Sequence, residues 1–480
     1  MKKLSLLPPS FLLLCLTHLS FSQTVNKDIQ TLDGTVVSVQ DVTQKLTPLL
    51  DSAHIPGLSL AIVNHSTIVY SHAFGVKDKT TKAPVTTNTL FEAASLTKTV
   101  FAFAVLKLVE EGKLSLDKPL HEYLDKPYEG LTDKRYNAIT ARMVLSHTTG
   151  FPNWRDDKLT IGFTPGEKFS YSGEGYVFLQ KVVEHITQMP LDKLIQIKVF
   201  TPLFMKDSYM VWTSVIQPRV ATAYDRSGKS VKGNQSKEAN AAYSLYTTAE
   251  DYSRLLIAIL KPAVLQSSSI TAMLTPQISL SDAQPNLSWG LGWGLEKTAQ
   301  GIVGFHWGDN PGYKAYTLLV PEKEKALVYF TNSDNGLNIR DQLVDVTLGG
   351  KYTLYDWLGY DQYNSPQTLL WETARVKGVQ AGLDQYRKFK ETAIIKPDEN
   401  ILYKLGYKFY YEKKYLEAIE VFQFNTKEYP SYWKTYVALA DTYGNMEKMD
   451  LCIQNLEKAI ELNPDFEQGK QMLKQLKEKK

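Results

Sequence analysis

The sequence predicts an α+β fold, in which a domain with an antiparallel sheet, a helical layer and a helical subdomain precedes an all-α array of helical hairpins. Strand patterns near both ends of residues 32–345 enclose a helix-rich middle, which indicates one sheet assembled from distant segments. Beyond residue 365 the composition becomes helical and charged, and a pattern recurs at the 34-residue spacing of Pro430 and Pro464. A chain of 480 residues has room for two or three such compact units.

Residues 1–22 carry the features of a secretory signal peptide. Two lysines precede an apolar stretch over residues 4–21, and Ser20 and Ser22 form a small-residue cleavage pattern. Cys15 lies inside this leader, so Cys452 is the one cysteine of the mature chain and no internal disulfide is expected. The sequence therefore predicts an exported protein of the periplasm or cell envelope, with secretion left open.

The composition of the chain gives no indication of several kinds of partner or cofactor. The chain has 54 basic and 51 acidic residues, a balance that gives no reason to expect nucleic acid or an anionic membrane surface. No later segment approaches the roughly 20 apolar residues that span a bilayer. His and Cys residues lack metal-ligand spacing, and there is no phosphate loop or dinucleotide fingerprint, so neither a metal nor a cofactor is expected.

The elements of the first domain follow from periodicity. An amphipathic helix is predicted first, then two strands joined by a short polar turn, then helices from Ser95 to about residue 260, and then a group of strands separated by Gly and Pro turns. Trp289 and Trp293 alternate with glycines in that last group and are predicted to be core residues. The predicted helix is 39–51 and the predicted strands are 57–64, 67–74, 289–296, 302–307, 314–320 and 326–331.

The C-terminal part contains two similar units, 399–432 and 433–466, which resemble tetratricopeptide repeats. Each is expected to be a pair of antiparallel helices, with a charged tail at 467–480. Two repeats seldom stand alone, so either residues 365–395, within a linker segment 346–398, are expected to add an irregular helical hairpin, or the array is expected to dock on the first domain. The array either offers a groove to a protein partner or braces the first domain, and the sequence does not decide between these roles.

The sequence Ser95-Leu-Thr-Lys98 places a hydroxyl and an amine at the start of an apolar helix. Residues three apart on a helix share a face, so Lys98 can act as the base that a serine nucleophile needs. Two other Ser-x-x-Lys matches, beginning at Ser115 and Ser431, lie in polar surroundings and are interpreted as surface features without chemistry. Context therefore selects Ser95 as the candidate nucleophile.

Two further motifs follow in order along the chain. Tyr171-Ser-Gly173 lies in a Gly-rich loop before a helix at about 177–186, and His306-Trp307-Gly308-Asp309 ends a predicted strand. With Ser95 and Lys98, these boxes resemble those of the serine β-lactamase and penicillin-binding-protein superfamily, in the branch of class C β-lactamases, D-alanyl-D-alanine carboxypeptidases and related esterases. The resemblance covers roughly residues 32–340.

The resemblance implies an acyl-enzyme mechanism. Ser95 would attack a carbonyl, while Lys98, with a pKa lowered by desolvation, and Tyr171, made more acidic by that ammonium, would share the proton. Which of the two is the formal base stays open. The backbone N–H groups of Ser95 and Asp309 would form an oxyanion hole, and Gly308 would permit the close approach that this requires.

Two departures from the family pattern bear on the substrate. Gly173 stands where the family has an asparagine that binds an acylamino group, and His306 and Trp307 replace a lysine and a hydroxyl residue that bind a carboxylate. Both changes favour an esterase, amidase or peptidase over a true β-lactamase or D-Ala-D-Ala carboxypeptidase. His306 is predicted to be a titratable oxyanion or substrate contact, and Asp309 to cap a turn rather than to contact a cationic leaving group.

His147, before Thr148-Thr-Gly150, is expected to support a loop near the site without a direct catalytic role. The expected ligand is a small-molecule or peptide substrate. A non-catalytic protein that only binds a ligand, and docks a partner through its repeats, remains the alternative of a different class.

Overall fold

The computed structural model describes residues 27–393 and 396–478, so the predicted signal peptide lies outside the described residues. The strands in chain order are β1 (Ile29–Gln30), β2 (Val36–Val37), β3 (Gly57–Asn64), β4 (Thr67–Asp78), β5 (Ala83–Pro84), β6 (Phe91–Glu92), β7 (Ala223–Tyr224), β8 (Ser230–Val231), β9 (Tyr246–Thr247), β10 (Ile278–Ser279), β11 (Leu287–Trp289), β12 (Gly294–Thr298), β13 (Gly301–Asn310), β14 (Tyr313–Val320) and β15 (Lys325–Thr331). Nine of them form a central antiparallel sheet in the order β10-β11-β12-β13-β14-β15-β3-β4-β5.

The predicted joining of distant segments is present in the sheet. Strand β15 pairs with β3 in a register that sets Val328 opposite Ala61. Every residue of β3, β14 and β15 is buried, because helices cover both faces of the sheet. This explains why these strands read as continuous apolar runs instead of alternating patterns.

Helices of the first domain form a layer on each face of the sheet. Helices α1 and α8 pack on one face through residues that include Leu46, Leu50 and Leu343. Helix α2 and its neighbours fill the other face, and α2 is buried around almost its whole circumference. These helices are α1 (Val39–Ser52), α2 (Thr97–Glu110), α3 (Ala141–Leu145), α4 (Gly173–Thr187), α5 (Leu191–Ile195), α6 (Ala249–Leu260), α7 (Ser267–Met273), α8 (Arg340–Thr347) and α9 (Leu354–Leu358).

The single strand predicted at 289–296 is wrong, because this segment forms the end of β11, a turn and the start of β12. Gly292 has a φ of +88° within the turn, and a Cβ there would lie 2.5 Å from Ala102 Cβ on α2. The glycines therefore let the turn pack directly against α2. Trp289 and Trp293 on either side are fully buried, as predicted.

The C-terminal helices share an apolar cluster of their own. Helices α10 and α11 form a hairpin in the interval where one was expected, and the predicted charged tail contains a helix that packs on the array. An ion pair of 3.1 Å between Lys408 and Asp361 links the array to the segment that leaves the first domain. The helices are α10 (Pro366–Lys377), α11 (Val379–Thr392), α12 (Glu399–Tyr411), α13 (Tyr415–Glu428), α14 (Trp433–Asn445), α15 (Met449–Leu462) and α16 (Glu467–Glu478).

Within residues 27–393 and 396–478, every helix is too short or too polar to cross a bilayer.

Close packing between α12 and α13 gives a first testable prediction. A Cβ on Gly406 would lie 2.3 Å from the buried Phe422 ring, whereas a Cβ on Gly444 would meet only Cys452 Sγ at 3.6 Å. We expect Gly406→Ala to destabilise the array by roughly 1–3 kcal/mol through overpacking. Gly444→Ala, its matched control within a helix, should be neutral or stabilising by up to ~1 kcal/mol. Urea unfolding of the full chain measures both, and equal effects would contradict the packing.

Candidate active site

Ser95 lies on a short 3₁₀ turn, Ala94–Leu96, that leads directly into α2. The preceding residue, Ala94, has a φ of +48°, a conformation that is unfavourable for a residue with a side chain. Such strain persists only where the surrounding structure enforces it, and it is concentrated at functional sites. The turn presents Ser95 at the N-terminus of a helix, where partial positive charge favours an anion.

Lys98 is the partner of Ser95. The amine donates to Ser95 Oγ at 3.1 Å and to the Ala242 carbonyl at 2.9 Å. Lys98 is fully buried, and this burial lowers its pKa to about 7. Near neutral pH a substantial fraction of the amine is therefore uncharged and can accept the proton of the serine hydroxyl.

Tyr171 lies against the same amine, with Lys98 Nζ 4.8 Å from the centre of its ring. Burial raises the pKa of Tyr171, and the Ser95 hydroxyl lowers it only in part. Among the described residues, the Tyr171 hydroxyl has no partner at hydrogen-bond geometry. Its interaction with the Ser95 hydroxyl is therefore weaker than a well-formed hydrogen bond. The prediction that Lys98 makes Tyr171 more acidic is wrong, because burial raises the pKa of the phenol, and an amine with a pKa of about 7 is already uncharged where a phenol titrates.

His147 supports Tyr171 from the other side. The two rings stack with centres 4.2 Å apart. The N–H of Ser172 donates to His147 Nδ1 at 3.0 Å, so a neutral ring carries its proton on Nε2. Burial, with Lys98 and His306 nearby, holds the pKa of His147 well below its usual range. A supporting role for His147 was expected from the sequence, and these contacts are those of such a residue.

The free edge of β13 faces Ser95. Pairing with β12 ends at Phe305, and beyond it the N–H of Trp307 donates to His306 Nδ1 at 2.9 Å instead of to a strand. The backbone N–H groups of residues two apart on a strand point to the same edge, so the N–H of Asp309 points to the same free edge as that of Trp307. A Cβ on Gly308 would lie 2.4 Å from the Ala93 carbonyl, which explains why a glycine is required here.

His306 is not the titratable substrate contact that the sequence predicted. It is fully buried, and burial together with the charge of Lys98 lowers its pKa to about 3. His306 is therefore a neutral packing residue under ordinary conditions. Trp307, its neighbour in the motif, points the other way and lines the cleft.

Ser95 opens into a cleft of about 790 Å³. Asp309 lines this cleft, and its carboxylate pairs with Lys314 at 2.9 Å and accepts a hydrogen bond of 2.7 Å from the Tyr360 hydroxyl. The prediction that Asp309 caps a turn is therefore wrong. The described lining residues are Ser95, Asn153, Trp154, Arg155, Tyr171, Glu174, Val177, Asn234, Asn240, Tyr243, Trp307, Asp309, Asn310, Pro311 and Tyr360.

Several of these lining residues were missed by sequence reasoning. Trp154 and Tyr243 come from loops without a motif, and Tyr360 comes from the segment predicted to be a linker. Arg340 holds this segment in place by donating to the carbonyls of Tyr360 and Tyr355 at 3.0 and 3.1 Å. For Trp154, the one available signal was that a tryptophan stands alone in a polar loop.

The described residues contain no cluster of three or more His, Cys, Asp or Glu side chains that could hold a metal ion.

Comparisons with known proteins agree with this geometry. The family model described as Beta-lactamase matches residues 42–348. Penicillin-binding protein 4* of Bacillus subtilis is 26% identical over 308 residues, which cover 56% of this chain and 66% of the relative. Protein flp of Staphylococcus aureus is 24% identical over 311 residues, covering 59% and 61%. The chain thus spans less than two thirds of the length of either relative.

Solved structures share the fold. A penicillin-binding protein homologue from Pyrococcus abyssi, described as octameric, superposes with a TM-score of 0.57 at 22% identity, over 71% of this chain and 82% of that one. The D-alanine carboxypeptidase AmpC from Burkholderia cenocepacia gives a TM-score of 0.56 at 22% identity, over 64% and 97%. At these identities the likeness shows a common architecture and no more.

Proposed function

The chain belongs to the Beta-lactamase family of serine hydrolases, whose model spans residues 42–348, and on that basis we propose that it cleaves an ester or amide bond through an acyl-enzyme on Ser95. The observation that carries this proposal is the 3.1 Å contact between Ser95 Oγ and the amine of Lys98. The pKa of that amine is about 7, so it can take up and release a proton near neutral pH.

In the proposed reaction, Ser95 Oγ forms a bond to the substrate carbonyl carbon while its proton moves to Lys98. The N–H groups of Ser95 and Asp309 stabilise the oxyanion. The bond to the leaving group then breaks, and the proton returns from Lys98 to the departing oxygen or nitrogen. Water attacks the acyl-enzyme in a second cycle, giving a carboxylic acid and free Ser95. Tyr171, which burial keeps protonated, positions the amine through its ring.

The charges of the cleft favour a neutral or cationic substrate over one that carries a carboxylate. Arg155 is the one cationic side chain among the described lining residues, and it pairs with Glu129 and, at 2.8 Å, with Glu174. Elsewhere in the cleft, Asp309 shares Lys314 with Asp334, which leaves these three side chains net negative. An incoming carboxylate would meet repulsion there and a cation already neutralised.

The test of this function is covalent labelling combined with a comparison of substrates. A fluorophosphonate probe should modify the protein, and peptide mass spectrometry should find the adduct on Ser95. We expect kcat/KM for p-nitrophenyl acetate to exceed that for nitrocefin by about tenfold or more, because ~1.4 kcal/mol of lost carboxylate recognition corresponds to that factor. An adduct on another residue would contradict the nucleophile, and nitrocefin turnover above ester turnover would favour a β-lactamase.

We also propose that the protein is exported through residues 1–22 and that the C-terminal helices brace the cleft. The second proposal rests on Tyr360, which lines the cleft next to Asp361, the residue that pairs with Lys408 of α12. Through this connection the array holds one wall of the site. Tyr360 lies after residue 348, where the match to the family model ends.

A further inference from the structure

Trp154 is unusual among the large apolar side chains of the described chain because it is both exposed and inside the cleft. Its side chain is 46% exposed, and it lines the same cavity as Ser95. Tyr243 lines the adjacent wall, with ring centres 5.7 Å apart and planes at 73° in an edge-to-face arrangement. The two rings form one continuous aromatic surface next to the nucleophile.

The space for Trp154 exists because residue 173 is a glycine. A Cβ on Gly173 would lie 2.6 and 2.8 Å from Cη2 and Cζ2 of the indole. These distances are too short for any side chain to occupy while the indole stays in place. Gly173 therefore makes room for an aromatic ring at the position where the family has an asparagine side chain.

The loop that carries Trp154 is fixed on both sides. Asn153 Oδ1 accepts a hydrogen bond of 3.0 Å from the Gly173 N–H, and the Asn153 carbonyl accepts one of 3.1 Å from the Glu174 N–H. Arg155 pairs with Glu174 at 2.8 Å. Because its neighbours are held in this way, the Trp154 loop is fixed before binding, so a ligand that binds there costs the protein little conformational entropy.

The facing loop is fixed as well. The N–H of Ala241 donates to Gln180 Oε1 at 2.9 Å, and the carbonyl of Ala242 accepts from Lys98 at 2.9 Å. Tyr243 follows directly. The aromatic wall is thus connected through Ala242 to the amine that contacts Ser95, and a group bound there lies in the same cleft as the nucleophile.

From these observations, and resting on the proposed function, we propose that Trp154, Tyr243 and Val177 form an aromatic subsite for an apolar group of the substrate. An unbranched aliphatic chain or a phenyl ring fits this surface, since the faces of the two rings bury apolar groups more favourably than hydrogen-bonding groups. The group belongs either to the acyl part or to the alcohol or amine part of the substrate. Asp309 and Tyr360 line the same cleft and contribute polar groups to it.

The kinetic test has one arm for each of these two sources. The first arm uses p-nitrophenyl acetate, butyrate and hexanoate, and the second uses the acetates of ethanol, butanol and hexanol. We expect kcat/KM to rise by at least about tenfold with chain length in one arm, because each buried methylene contributes roughly fourfold. Trp154→Ala and Gly173→Ala should both flatten that rise, the second because its methyl group displaces the indole.

Tyr411→Ala is the control, since this residue is 77% exposed on the C-terminal helices and should leave the chain-length dependence unchanged. Partial recovery of the slope in Trp154→Phe would show that an aromatic surface is what matters. A flat profile in both arms, or a slope that survives Trp154→Ala, would overturn the subsite.

A binding measurement separates this inference from the proposed function. Ligand-observed ¹⁹F NMR of 4-fluorophenylacetamide with the Ser95→Ala protein does not depend on turnover. We expect line broadening that disappears in the Ser95→Ala/Trp154→Ala double variant. Broadening, with neither ester turnover nor fluorophosphonate labelling of the wild-type protein, would retain the subsite and reject the hydrolase. Turnover with equal broadening in both variants would do the opposite.

Discussion

Replacing Ser95 by alanine is expected to lower kcat/KM for p-nitrophenyl acetate by about 10³-fold or more, the scale seen when a catalytic nucleophile is removed. The variant lacks the oxygen that forms the acyl-enzyme, so any remaining turnover comes from water bound in the cleft. Fluorophosphonate labelling should disappear with the activity. Steady-state kinetics and gel fluorescence measure the two effects on the same preparations.

The chain supplies a matched control in its second Ser-x-x-Lys sequence. Ser115 begins this sequence and is exposed, and its Lys118 pairs with Glu122 at 3.6 Å instead of with a serine. Ser115→Ala should therefore retain wild-type kinetics and labelling. Activity in Ser95→Ala within a few-fold of wild type, with an unchanged melting temperature, would remove Ser95 from the mechanism.

The order of strands and helices was largely predictable because its causes are local. Strand β3 was predicted with both of its ends correct, and α1 within one residue, since each has a clear apolar pattern bounded by turn residues. The segment 289–296 failed for a physical reason. Its glycines form a turn only because α2 packs against Gly292, a contact between residues distant in sequence.

The same distinction applies to the active site. Ser95, Lys98 and Tyr171 belong to short motifs, and their side chains lie close together in the structure. Trp154 and Tyr360 were not placed in the site from the sequence, because their position in the cleft depends on how separate loops pack. Neither residue lies in a motif, and the segment around Tyr360 follows the end of the family match.

Charge states were the least accessible to sequence reasoning. A histidine in place of a lysine suggested a titratable cation, but complete burial lowers the pKa of His306 to about 3. The same effect raises the pKa of Tyr171 and lowers that of Lys98. Desolvation, which disfavours every charged form, thus leaves Lys98 as the one member of the group that titrates near neutral pH.

Replacing Lys98 by methionine should lower kcat/KM by roughly 10²–10⁴-fold, the range typical for loss of a general base. In the wild-type protein, the pKa of Lys98 is lowered to about 7, and only the uncharged amine can accept the Ser95 proton. Activity should therefore rise tenfold per pH unit below about 7 and level off above it. In Lys98→Met this inflection should be absent. A pH profile of kcat/KM for a neutral ester measures both expectations.

Stability provides an independent readout, because Lys98→Met should lower the activity without lowering the stability of the fold. Between pH 7 and pH 10.5 the unfolded chain binds a proton at Lys98 that the folded protein does not, so stability rises with pH across this window. At neutral pH and below, the buried lysine therefore destabilises the fold. Methionine removes that cost, although it leaves the Ala242 carbonyl without its donor. We expect Lys98→Met to melt no lower than wild type at pH 7.

Lys118→Met is the control for both measurements, because this exposed lysine should affect neither the pH profile nor the melting temperature. An inactive Lys98→Met protein that melts well below wild type would indicate a structural role. If the Lys98→Met variant keeps the inflection near pH 7, the base must be another group. Loss of activity and of the inflection, with stability retained, is the combination that only a buried catalytic amine produces.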